Sequence, residues 1–65
     1  MLNNDPPPGT RVRFLREVRT AKTNDVAILR GPLRKYDRDN PTDEFEVEFS
    51  GIRMTVQRQD IERVR

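Results

Sequence analysis

From Glu44 to Gln57 apolar and polar side chains alternate, broken only by Ser50-Gly51. Phe45, Val47 and Phe49 are interleaved with Glu44, Glu46 and Glu48, and Ile52, Met54 and Val56 with Arg53, Thr55 and Gln57. A period of two belongs to a strand that buries one face, so the segment predicts a β-hairpin. With Ser50-Gly51 as a two-residue loop, the facing pairs are Phe49 with Ile52, Val47 with Met54 and Phe45 with Val56. All six apolar side chains then share one face. On the other face Glu48 meets Arg53 and Glu46 meets Thr55, a favourable cross-strand arrangement. A helical reading scatters the same residues around the axis. The hairpin therefore sets the fold class as all-β.

Sixty-five residues, 32% of them hydrophobic and 37% charged, allow one domain with one small core. The expected core is Val12, Phe14, Val18, Val26, Leu29, Leu33, Tyr36, Phe45, Val47, Phe49, Ile52, Met54, Val56, Ile61 and Val64. The balance for a domain of this size is marginal, so docking on a larger partner would stabilise it, although many domains this small fold alone. The chain has no Cys and no His. Thiolate and imidazole chemistry, disulfides and iron–sulfur ligation are thereby excluded, and a zinc site is disfavoured. No apolar run is long enough to span a membrane, and no signal-peptide core is present. The expectation is a cytoplasmic or organelle-matrix protein, without membrane insertion, cofactor, metal or small-molecule substrate.

Residues 1–8 (MLNNDPPP) end in three prolines, which cannot donate to a sheet ladder. They are read as a flexible Pro-rich tail before a domain over 9–65. Pro8-Gly9-Thr10 turns into a first strand over 11–15, with Val12 and Phe14 inward and Arg11 and Arg13 outward. Residues 16–22 read as a long loop. Thr23-Asn24-Asp25 offers N-cap chemistry before Val26, and Gly31-Pro32 offers a helix stop. One or two helical turns over 25–30, placing Val26 and Leu29 on one face, is the preferred reading. The alternative is a strand from Val26 into Tyr36 with a bulge at Gly31-Pro32. Residues 33–38 read as a strand, 37–43 (DRDNPTD) as a polar turn, Arg58-Gln59-Asp60 as a tight turn and 61–64 as a closing strand. About five short strands with one short helical turn describe a small SH3-like β-barrel. An OB-fold ranks second.

No nucleophile–base pair or glycine-rich phosphate loop stands out, so catalysis is not expected. Glu44, Glu46 and Glu48 are the wet face of an amphipathic strand. Net charge is only +2, yet residues 11–38 carry nine basic and three acidic side chains, whereas residues 39–65 carry four basic and seven acidic. Arg11, Arg13, Arg16, Arg19, Lys22, Arg34, Lys35 and Arg38 are the candidate partner-binding face. Two functions fit a basic face on a small barrel. One is a protein-binding accessory subunit, and the alternative is a nucleic-acid module. Base stacking wants exposed aromatics; the three phenylalanines sit at inward-facing strand positions, and Tyr36, near a strand end, is the one candidate for exposure.

The order of elements resembles the SH3-like accessory subunits of cyanobacterial and chloroplast electron transfer. These include the variable chain of ferredoxin–thioredoxin reductase, the small peripheral subunit of the cytochrome bf complex and photosystem I subunit IV. The matching pieces are Gly9-Thr10-Arg11-Val12-Arg13, residues 24–31 (NDVAILRG), the hairpin over 45–56 and residues 58–64 (RQDIERV). The resemblance implies a chain without a redox group that packs on a larger photosynthetic complex or helps dock acidic ferredoxin. Its implied location is the cytoplasm, or the stromal or cytoplasmic face of a thylakoid-associated complex.

Overall fold

The computed structural model describes Leu2 and residues 6–32 and 44–64. Five strands, β1 (Arg11–Phe14), β2 (Val26–Pro32), β3 (Glu44–Phe49), β4 (Ile52–Gln57) and β5 (Ile61–Arg63), form one antiparallel sheet. Their order is β4-β3-β2-β1-β5, that of an SH3-like barrel, and a 3-10 turn over Arg58–Asp60 joins β4 to β5. The fold is all-β, as the hairpin requires.

The β3–β4 register is the one expected, from Glu44 opposite Gln57 to Phe49 opposite Ile52. Ser50 and Gly51 both take positive φ, +51° and +77°, which lets the two-residue loop follow the twist of its strands. Phe45, Val47, Met54 and Val56 are buried, and Phe49 meets Phe14 edge to face with ring centroids 5.9 Å apart. Ile52, at the first position of the edge strand β4, is 55% exposed rather than in the core. Across the outer face Arg53 reaches diagonally to Glu46, with Nη1 3.7 Å from Oε1, instead of pairing with Glu48 opposite it.

The preferred helical reading of residues 25–30 is overturned. Residues 26–30 lie in β2, hydrogen-bonded on one side to β1 and on the other to β3, and Asp25 belongs to the turn before it. A helix of one or two turns is unstable by itself, whereas a strand between two others has both its edges bonded. The Asp25 carboxylate does not cap a helix. It accepts the Lys22 backbone N–H at 2.8 Å and closes a turn in which Asn24 sits at φ +75°. Among the described residues the helical turn is instead the 3-10 turn at Arg58–Asp60, where only a tight turn was expected.

The change from helix to strand alters the core. In a strand Val26 and Leu29 point to opposite faces, so Leu29 is buried while Val26 is 48% exposed. Ala27 goes inward in place of Val26. Gly31 is not a helix stop but lies at a bulge, where the register with β3 shifts between Leu29 and Gly31. Its φ of +145° is open to glycine and strained for any residue with a Cβ, although an added Cβ would touch nothing within 4 Å. Gly31→Ala is therefore expected to lower stability by about 1–2 kcal/mol through backbone strain alone. Denaturant unfolding checks this, and an unchanged midpoint would contradict it.

Val12, Phe14 and Ile61 complete the expected core, Val18 packs on it half-buried, and Val64 is half-buried. Leu33 and Tyr36, with the strand expected over 33–38, lie outside the described residues. Leu2 and Ala21 are buried although neither was expected to be. Leu2 donates its N–H to the Arg58 carbonyl at 3.3 Å, and Arg58 Nη1 donates to the Leu2 carbonyl at 2.9 Å. The same guanidinium lies 5.0 Å from the centre of the Phe45 ring. Leu2, within the stretch expected to be a flexible tail, is thus held against the barrel.

Candidate partner-binding surface

The eight cations proposed as one basic face do not behave alike. Arg11 and Arg13 project from the outer side of β1, because Val12 and Phe14 take the inner side. Arg13 forms an ion pair with Glu62, its cross-strand neighbour on β5. Arg16 Nε donates to Asp60 Oδ1 at 2.5 Å. Arg34, Lys35 and Arg38 lie outside the described residues. Arg11, Arg19 and Lys22 are exposed, and none has an ion pair with a described residue. Arg58, which the proposed face did not include, is held by Leu2 and Phe45.

The Arg16–Asp60 pair is asymmetric in its surroundings. The Asp60 side chain is 3% exposed and the Arg16 side chain 65%, so a guanidinium lies over a carboxylate sunk in the barrel wall. The hydrogen bond to Asp60, and then the carboxylate charge, raise the Arg16 pKa above its ordinary value, so it stays charged. Asp60 also fastens its own turn: Oδ2 accepts the Gln57 backbone N–H at 3.0 Å, and its backbone carbonyl accepts the Leu15 N–H at 2.8 Å. Leu15 and Arg16 open the connection between β1 and β2, so this one residue ties that loop to the 3-10 turn.

The rest of the loop is equally braced. Val18 and Ala21 exchange backbone hydrogen bonds, both 2.9 Å, and form a small bridge within it. Ala21 is buried and Val18 packs on the core, so the bridge is anchored by its own side chains. Arg19 and Thr20 make its tip, where Arg19 takes φ +52°. Asn24 N–H donates to the Phe14 carbonyl at 2.8 Å, and Phe14 N–H to the Asp25 carbonyl at 2.9 Å, which closes the loop at its base. Arg19 and Lys22 are therefore presented from a fixed frame.

Composition located the cations but not this division among them. Glu62 and Asp60 lie 49 and 44 residues from the arginines they hold, and no local pattern links such partners. Two signals were available for Asp60: a Gln57-x-x-Asp60 spacing resembling a capping box, and its place in a tight turn. Among the described residues no cluster of three or more His, Cys, Asp or Glu side chains is placed to hold a metal ion, and no helix is long and apolar enough to cross a membrane. Comparisons with family models, with curated proteins and with solved structures found no match for this chain.

Proposed function

We propose that the chain is a non-catalytic binding module whose braced β1–β2 loop docks on an acidic surface of a larger protein. The observation that carries this reading is Arg19. A long, exposed cation occupies the loop tip at φ +52°, a conformation that glycine adopts without strain. Backbone strain tolerated at an exposed tip points to use of the side chain. The loop is also fastened at Asp60, at the Val18–Ala21 bridge and at its base, so little ordering entropy is lost on docking. Arg19 and Lys22 supply the charge, while Arg16 is engaged in holding the frame.

The resemblance to photosynthetic accessory subunits makes acidic ferredoxin, or a larger electron-transfer complex in the same compartment, the partner to try first. The alternative is a nucleic-acid module that uses the same cations on phosphates. Less supports it, because Phe14 and Phe45 are buried and Phe49 packs on the core, leaving none of these rings to stack on a base.

Titration of the isotope-labelled protein with ferredoxin and, separately, with single-stranded DNA and RNA tests the reading. Amide shifts over residues 16–22 with the protein alone, weakening as salt rises, are expected. Reversing both charges, Arg19→Glu with Lys22→Glu, is expected to weaken that binding about tenfold or more while thermal stability stays within a few degrees. Equal shifts with every polyanion would instead support the nucleic-acid reading. No shift with any of them would overturn the basic loop as a docking surface.

A further inference from the structure

We propose that the outward face of β2 takes a second copy of this chain across a two-fold axis. The run Val26-Ala27-Ile28-Leu29 is apolar on both faces of the strand. Ala27 and Leu29 are buried in the barrel, while Val26 is 48% exposed and Ile28 half-buried on the outside. Apolar residues on both faces are the pattern of a strand covered on both sides. The inner cover is the core, and among the described residues no element is packed over the outer side of β2.

The charges beside this strip identify what fits it. Arg11 stands opposite Ile28 on β1, and Glu48 stands opposite Ile28 on β3. Neither has an ion pair with a described residue. Adjacent strands are about 4.8 Å apart, so the two charges flank Ile28 at equal distances on either side. Laying a second copy face to face, with the two-fold axis parallel to β2, brings Ile28 onto Ile28 and Val26 onto Val26. The same operation sets Arg11 of each copy over Glu48 of the other, giving two identical ion pairs around an apolar centre. An axis perpendicular to the strand would bring Arg11 onto Arg11. The surface is thus self-complementary in one orientation, as an isologous contact requires. Arg30 follows at the bulge and keeps the apolar strip short, so the contact belongs at the weak end of specific interfaces.

Sedimentation of the full chain from about 10 μM to 1 mM tests this. The protein is expected to pass from monomer towards dimer over that range. Arg11→Glu alone and Glu48→Arg alone should each weaken association about tenfold or more, since each puts like charges together at both flanks. An equimolar mixture of the two variants should associate again, because every flanking contact in the heterodimer then joins opposite charges. Val26→Lys, at an exposed position, should abolish the dimer with melting unchanged to within a few degrees. A chain that stays monomeric at the highest concentration would overturn the proposal. So would a dimer indifferent to these substitutions, or a mixture that fails to recover. If ferredoxin in the titration above shifted Val26 and Ile28, the face would belong to that partner instead.

Discussion

Val47→Asp is expected to remove most or all of the stability of this domain. Val47 is fully buried, opposite Met54 on β4 and Leu29 on β2, with its side chain inside the single core. A carboxylate there would sit out of contact with bulk solvent among apolar side chains, so it is either charged at a prohibitive desolvation cost or neutral and unsatisfied. The loss is expected to be about 4 kcal/mol or more. A domain of this length holds only about 3–10 kcal/mol, at roughly 0.05–0.15 kcal/mol per residue. Met54→Asp, at the facing position and 3% exposed, should do the same. Glu46→Lys, one residue from Val47 but on the outer face, loses only its long contact with Arg53 and should cost less than about 1 kcal/mol. Circular dichroism with thermal melting separates the outcomes. Similar losses for all three variants would contradict the assignment of faces.

The same contrast explains which parts of the fold were legible in the sequence. The hairpin carries its register locally: the alternation, the loop and the cross-strand pairs all lie within fourteen consecutive residues, and each supports the others. Residues 26–29 carry no such information. A four-residue apolar run with a polar turn before it and Gly31 after it suits a short helix or a buried strand equally well. The decision came from β1 on one side and β3 on the other, both remote in sequence. That decision then governs the surface, because it turns Val26 outward. Local signals were also silent about Arg19, since Arg-Thr is no signature of a positive-φ turn. The basic composition of the first half was plain, but which arginines remain exposed without an ion pair depends on the distant Asp60 and Glu62.

Asp60→Ala is expected to destabilise the protein by about 2–3 kcal/mol, and to do so by a different route from the core variants. No apolar contact of consequence is lost. What disappears is the acceptor for the half-buried Gln57 N–H and the anion under Arg16. Hydrogen bonds involving a charged group contribute about 1.5–3 kcal/mol each, and the donor left without a partner adds its own desolvation cost. At about 4–8 °C per kcal/mol for a domain of this size, melting should fall by about 10–20 °C. Asp60→Asn keeps an oxygen that can serve one of the two donors, so it should fall between alanine and the native residue. Arg16→Ala should cost less than Asp60→Ala, because the guanidinium is largely in water already. The informative measurement is amide hydrogen exchange below the melting temperature. If Asp60 fastens the loop to the 3-10 turn, exchange in Asp60→Ala accelerates at Leu15, Val18 and Ala21 well before it does at Val47. Loss of this anchor should then also weaken the docking proposed for Arg19 and Lys22. Uniform acceleration across loop and core would mean that Asp60 contributes only to global stability, and that the loop does not depend on it for its shape.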